Sequence, residues 1–175
     1  MTKLTREEHE KLVKDLENHP NKSRVDNMIT SHAELKEQLK VLQELVSNKK
    51  MEELKEKWIK HQEEALKHSK IEDKIIFVDI YKHYQDRIPN EGKGMKFIDE
   101  QHKHLENTIL NVEKSLKGDD IEQISKDIND YCNEQFDHMN EEEILLIPLF
   151  LNFSFYEYTC YAAGIGYKFA TGAAK

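Results

Sequence analysis

The sequence predicts an all-α protein: an antiparallel up-down-up-down four-helix bundle with a short N-terminal helix and an apolar C-terminal segment. Lys, Glu, Leu and Ile dominate the 175 residues, and only three prolines and six glycines interrupt them. Apolar residues recur at helical spacing in four long stretches. Helices joined by short connections pack with alternating direction, so the order along the chain predicts the topology.

The four long helices have recognisable ends. Asn48 and Gly118 are typical of helix C-termini, and Asp119 or Asp120 is a typical N-cap for the last helix. The composition of residues 87–94 indicates a loop. The predicted helices cover residues 23–47, residue 51 to beyond Phe77, residues 95–117, and residue 121 to about Pro148.

The long helices define a central domain with an extension at each end. Residues 1–22 are predicted to be an N-terminal extension with a short helix at roughly 5–17, and residues 23–149 form the bundle. Residues 150–175 are aromatic-rich and contain too many polar residues and glycines for a membrane span. We expect this segment to dock on the bundle; the alternatives are a contact between identical chains or a membrane contact.

Composition excludes several classes of function. The net charge of −8 argues against nucleic acid as a partner, because such proteins carry a basic patch. The two cysteines form no close motif, which favours a reducing compartment. The charged start of the chain lacks the apolar run of a secretory signal. A cytoplasmic location is therefore expected.

Histidine and glutamate recur four residues apart on the apolar stripes. Residues four apart share one helix face, so each pair presents a nitrogen and an oxygen to the same point. Counting residues from the predicted helix ends puts one histidine of each helix at a common height. The candidate metal ligands are His32, His68, Glu72, His102, Glu106, His138 and Glu142.

A single such pair on a Glu-rich helix is usually solvated, and a buried histidine is usually a hydrogen-bonded core residue. Four histidines with carboxylates in one core are costly without a cation. Imidazole with carboxylate suits iron, manganese or zinc. Seven candidate ligands exceed the set of a structural zinc site, so two ions bridged by Glu72 and Glu142 fit better. A ferritin-type site is disfavoured, because these stripes carry no Glu-x-x-His.

The stretches around the four histidines resemble the hemerythrin-like, or HHE cation-binding, domain. They are SHAELKEQL, HSKIEDKIIF, DEQHKHLENTI and HMNEEEILLIPLF, and the resemblance covers roughly residues 23–150. It implies an antiparallel four-helix bundle with two iron ions in an oxo- or hydroxo-bridged non-haem centre. The ligands that it implies are His32, His68, Glu72, His102, His138 and Glu142.

The resemblance implies reversible oxygen binding, or sensing of oxygen, nitric oxide or iron. The oxygen-carrying relatives have a histidine where this chain has Glu106, which is either a ligand or a solvated residue here. Those relatives also use an acid at the position of Glu143, but a straight helix favours Glu142. We therefore expect binding of a small diatomic ligand without turnover. The alternatives are a redox enzyme acting on peroxide, nitric oxide or ferrous iron, and an iron sensor or store.

Overall fold

The protein is helical throughout the part that the structure describes. This computed structural model describes residues 4–78, 80, 84–89, 95–154 and 158, and no strand occurs among them. The prediction of an all-α protein is confirmed. The α-helices in these residues are α1 (Arg6–Lys14), α2 (Asp26–Ser47), α3 (Met51–Ile71), α4 (Met95–Ser115) and α5 (Ile121–Leu151). Three short 3-10 helices are Leu16–Asn18, Lys22–Arg24 and Gln85–Arg87.

Side-chain caps fix the start of two helices. At α1, the Thr5 hydroxyl accepts from the Glu8 backbone N–H, and the Glu8 carboxylate accepts from the Thr5 N–H. At α5, the Asp120 carboxylate accepts from two backbone N–H groups of the first turn, each at 3.1 Å. Of the two predicted caps for the last helix, Asp120 is therefore the one used.

The long helices pack side by side as a helical bundle. α2 packs against α3 and α5, α4 packs against α5, and α1 lies on α5. Between α2 and α3, Ser31 meets His68 and Gln38 meets His61, so residue numbers rise along one helix while they fall along the other. The same reversal relates α2 to α5 and α4 to α5.

Two apolar clusters fill the bundle. One contains Leu39, Trp58 and Ile128, and the other contains Ile98 and Leu145. On α4, for example, His102 lies between Ile98 of the second cluster and Leu105 of the first. The polar site is therefore a layer with apolar packing on both sides.

The second long helix departs from the predicted continuous α-helix. Its α-helical part ends at Ile71, and a π-helical turn follows at Glu72–Ile76. A π turn adds a residue to one helical turn and is common at functional sites. Here both Glu72 and Asp73, the first two residues of the turn, contact histidines of the polar layer.

The last helix continues through Pro148, where it was predicted to end. Proline has no N–H to donate to the carbonyl four residues earlier, that of Ile144. This carbonyl instead lies 2.9 Å from Nδ1 of His9, which belongs to α1. Burial lowers the pKa of His9, so its neutral ring donates the N–H. α5 then reaches Leu151 without losing a partner for this carbonyl.

The two terminal extensions differ in how much of them is described. α1 is the predicted short N-terminal helix, and Arg6 donates to both carboxylate oxygens of Glu141 at 2.7 and 2.9 Å. At the other end Phe153 is buried, and its carbonyl accepts from Arg24 at 2.6 Å. Most of the predicted docking segment, 150–175, lies outside the described residues. Among those described, no helix is both long and apolar enough to cross a membrane.

Candidate metal centre

Four imidazole rings from four helices meet in the polar layer. His32 and His68 stand with ring centroids 5.0 Å apart, and His102 and His138 with centroids 4.6 Å apart. Three of the four are almost completely buried, and the side chain of His68 is 14% exposed. The heights that were predicted from helix ends therefore agree with the structure.

Each imidazole directs Nε2 inward and bonds an oxygen with Nδ1. His32 faces Glu143 at 3.0 Å and His102 faces Asp73 at 2.8 Å. The Nδ1 atoms of the other two rings face the Ser31 hydroxyl at 3.1 Å and the Gln101 side-chain oxygen at 3.3 Å. Carboxylate and amide oxygens only accept, so Nδ1 of His32, His102 and His138 carries a hydrogen, and Nε2 is the ring atom that faces the centre. Second partners of this kind orient metal-binding histidines in many proteins.

Two glutamates lie among the Nε2 atoms. Glu72 approaches His68 at 3.0 Å, and Glu142 approaches His138 at 3.4 Å. Each glutamate also contacts both His32 and His102, with oxygen to Nε2 distances of 3.5–3.7 Å. The two predicted His-x-x-x-Glu pairs on α3 and α5 therefore converge on one point.

The donor atoms divide into two groups that could each hold a metal ion. Both groups contain Glu72 and Glu142; one adds His32 and His68, and the other adds His102 and His138. Within a group, one donor atom from each residue lies within 4.8 Å of the others. Two carboxylates are thus shared by the groups, and each group adds two imidazoles that could bind a metal ion.

The histidines and glutamates of the site shift one another's pKa values. Burial acts to lower the pKa of His32 and His102, but interactions with neighbouring carboxylates outweigh it and raise each pKa to about 9. Burial lowers the pKa of His138 to about 3, with a further contribution from His102. Burial raises the pKa of Glu142, whereas interactions with histidines overcome burial at Glu72 and lower its pKa. Protons and cations therefore compete for the same donor atoms.

Several buried nitrogen and oxygen atoms of the site have no hydrogen-bond partner. Among the described residues these include Nε2 of His32, Nε2 of His68, one oxygen of Glu72 and both oxygens of Glu142. Unpaired buried polar atoms are costly, and native structures rarely keep so many together. A cation bonded to these atoms would satisfy them at once, so the residues present fit a metal centre.

The distance between His102 and His138 gives an independent test of this fit. Their Nε2 atoms are 3.0 Å apart, and both Nδ1 atoms face oxygens that only accept. Without metal, a proton on Nε2 of His102, whose pKa is raised, lies between the two nitrogens, and a cation could take its place. Two ligands at right angles and about 2.1 Å from one ion would be separated by about 3 Å. The pair therefore has the spacing of neighbouring ligands of a single metal ion.

A small cavity of about 20 Å³ adjoins the histidine layer. Its volume suits a molecule of the size of water. The side chains of His68, His102 and His138 form part of its wall. The rest of the wall is mainly apolar and includes Ala65, Leu66, Leu105, Ile109 and Gln135.

Glu106 is the predicted ligand that the structure does not bring into either group. It is exposed and lies at the wall of the small cavity. Residue numbers run along α4 in the opposite sense to those of α5. The position four residues after His102 therefore lies on the side of His102 away from Glu142, next to the cavity. The other six predicted ligands are in the two groups.

Three of the Nδ1 partners were not predicted as site residues, and Glu143 was considered only as an alternative metal ligand, although the sequence carries a signal for all four. Ser31 and Gln101 directly precede a histidine of the site, and Asp73 and Glu143 directly follow a glutamate of the site. A neighbour in sequence is rotated by about 100° on a helix, so it faces the adjacent helix. Polar residues next to each ligand were therefore the positions to examine.

The fold and this geometry define an all-helical protein with a buried imidazole and carboxylate site that could hold metal cations. A comparison with known protein families matches residues 23–150 to the hemerythrin HHE cation-binding domain. The chain therefore belongs to this family, as its resemblance predicted. Comparisons with curated proteins and with solved structures found no match.

Proposed function

We propose that this chain is a non-haem di-iron protein that binds or senses a small diatomic ligand, oxygen or nitric oxide, without turnover. The observation that carries the proposal is the pair of donor groups that share Glu72 and Glu142. Each group offers two imidazoles and two carboxylates, and this donor type suits iron. The family's description as cation-binding supports a metal at these residues.

The chain's own residues would prepare this site for iron. Glu72 and Glu142 would bridge two ions, and their negative charges would offset part of the charge of a divalent pair. Hydrogen bonds from Nδ1 to Asp73 and Glu143 would make His102 and His32 stronger metal ligands. A bound di-iron centre would supply electrons to a diatomic ligand.

The small cavity supports ligand binding at the centre. Three site histidines contribute to its wall, whereas Glu72 and Glu142 do not. A small molecule in the cavity would therefore lie against these histidines and not against the shared carboxylates. A volume of about 20 Å³ favours a ligand of a few atoms over a larger substrate. Its apolar side chains would limit the entry of water.

A redox enzyme is the second candidate, and the acidic surroundings of the site favour it. Asp73 and Glu143 bond the imidazoles directly, and Glu106 lies at the cavity wall. Anionic partners stabilise a more oxidised metal, which would shorten the life of an oxygen adduct. Glu106 could also pass protons to peroxide. The substitution Glu106→Gln should then slow peroxide consumption and leave the metal content unchanged.

The reversed residue pairings between neighbouring helices support an antiparallel up-down-up-down bundle over residues 23–149. Residues 1–22 would then be an extension that braces α5, and the segment 150–175 would cover one end of the bundle. An assembly of identical chains through this segment stays a prediction. Deleting residues 155–175 and measuring the mass of the particle in solution tests it.

Metal content and an anaerobic ferrous spectrum test the proposed function. The metal-free chain is loaded with ferrous iron without oxygen, its iron is counted, and oxygen is then added. Two irons per chain with a charge-transfer band that reverses under vacuum are expected. Two irons with irreversible oxidation would favour the redox enzyme. One zinc ion per chain, or no bound metal, would overturn the di-iron proposal.

A further inference from the structure

A second polar cluster lies inside the apolar core, apart from the metal ligands. The side chain of Tyr131 is completely buried, and its hydroxyl is 2.9 Å from Nε2 of His61. Nδ1 of His61 is 2.9 Å from the side-chain oxygen of Gln38, and the amide nitrogen of Gln38 donates to Glu64. Four side chains therefore form one continuous hydrogen-bond chain.

The direction of every bond in this chain is fixed by Glu64. A carboxylate only accepts, so Gln38 turns its NH₂ group to Glu64 and its oxygen to His61. His61 must then carry hydrogen on Nδ1 and a lone pair on Nε2, which accepts the phenolic hydrogen of Tyr131. Burial lowers the pKa of His61 to about 4, so the ring is a neutral base at pH 7.

This hydrogen-bond chain connects the region of the polar layer with the protein surface. Tyr131 and His61 each precede a site histidine by seven residues, which corresponds to about 10 Å along a helix. Ala65 and Gln135, which lie between, form part of the wall of the small cavity. At the other end, the side chain of Glu64 is 43% exposed.

A neighbouring indole provides a comparison within the same core. The ring of Trp58 meets that of Tyr131 edge to face with centroids 4.9 Å apart, and its Nε1 is buried without a hydrogen-bond partner in the part of the chain that the structure describes. Both aromatic groups become strong acids when they lose an electron. Only Tyr131 has a base in contact with the proton that would leave. Of these two rings, Tyr131 is therefore the easier one to oxidise.

We propose that Tyr131 is a one-electron donor to the metal centre and that His61 accepts its proton. Tyr131 loses one electron, its O–H bond breaks, and the proton forms an N–H bond at Nε2 of His61. The electron reduces, by one equivalent, a metal centre that a peroxide has oxidised. The products are a neutral tyrosyl radical and an imidazolium that donates to Gln38. This step rests on the proposed metal centre, in its second candidate role as a redox enzyme, only for the source of the oxidant.

The first experiment uses metal-free protein and an external oxidant. In a chain whose six other tyrosines are replaced by phenylalanine, Tyr131 is oxidised by a photogenerated ruthenium(III) complex and followed by electron paramagnetic resonance. The added substitution His61→Gln removes the base, so radical formation should slow by about 100-fold. Circular dichroism checks that both chains are folded. Equal rates with and without His61 would overturn the proposal.

The second experiment uses the unsubstituted chain loaded with iron and treated with hydrogen peroxide. A tyrosyl signal is expected, and it should disappear in Tyr131→Phe and persist in the control Tyr84→Phe. A signal that persists in Tyr131→Phe, or no signal in iron-loaded protein, would overturn Tyr131 as a donor to the metal centre. The iron count is measured separately, so failure of the metal site itself is distinguishable.

Discussion

The substitution Glu142→Gln should affect the protein in opposite ways with and without metal. Glu142 belongs to both donor groups and is completely buried. Glutamine keeps the shape of the side chain but removes the charge that both groups share. We therefore expect the metal-free protein to keep or gain stability, and the metal-loaded protein to lose most of its added stability.

The structure gives the size of both effects. Without metal, burial raises the pKa of Glu142, which means that the buried charge is unfavourable. Replacing this charge with a neutral group of equal volume should therefore change the stability by less than about 3 kcal/mol, which is the loss expected when one partner of a favourable buried ion pair is removed. With metal at about 100 times its dissociation constant, one site adds about 2.7 kcal/mol. In a chain of 175 residues, this corresponds to roughly 5–10 °C in Tm.

Calorimetric unfolding in the presence of a chelator and then of anaerobic ferrous iron measures both effects. The matched control is Glu143→Gln, the next residue, which bonds Nδ1 of His32 and belongs to neither group. This control should keep the metal content of the unsubstituted chain, with affinity lower by about 10–100-fold. An undiminished metal-induced rise in Tm for Glu142→Gln would refute the reasoning. So would a loss of more than about 3 kcal/mol in metal-free protein, the cost of a core defect.

Three further substitutions test the partners of the site and of the last helix. Asp73→Ala should lower metal affinity by about 10–100-fold without changing the number of ions, and isothermal titration measures this; unchanged affinity would contradict a role for the second partner. Arg6→Ala removes two bonds to Glu141 and should cost about 1–2 kcal/mol in urea unfolding, because Arg6 is partly exposed. His9→Ala should cost about 1–3 kcal/mol, but less in a Pro148→Ala background, where the restored backbone N–H can replace the lost donor. A strictly additive double mutant would exclude the explanation given for the proline.

Helical period and height were sufficient to predict most of the site. An inward histidine on each long helix is visible in the sequence, because polar residues interrupt otherwise apolar stripes. Counting residues to the helix ends then gives the common depth, because the rise per residue is constant. Spacing alone predicted the pairs His68 with Glu72 and His138 with Glu142. In both pairs the chain runs in the same direction, so both glutamates lie on the same side of their histidines.

On α4, the four-residue spacing did not predict where Glu106 lies. His102 and Glu106 also lie four apart, but residue numbers run in the opposite sense there, so Glu106 leads toward the small cavity and is exposed. Spacing within a helix does not contain this information; the direction of the helix relative to its neighbours does. The contact of Asp73 with His102 was equally hidden, because it occurs within a π turn that the periodic pattern does not predict.

Three consecutive acids on α5 explain how this helix is oriented beside the polar layer. They point about 100° apart, so only Glu142 can enter the site. Glu143 bonds His32 and Lys36 on one side, and Glu141 bonds Arg6 of α1 on the other. The two outer carboxylates thus have their own partners, which offsets part of the repulsion between neighbours. α1 lies outside the residues that match the family, 23–150, yet it contacts α5 directly beside Glu142. The rotation of α5 that directs Glu142 inward therefore depends in part on a segment that precedes the family domain.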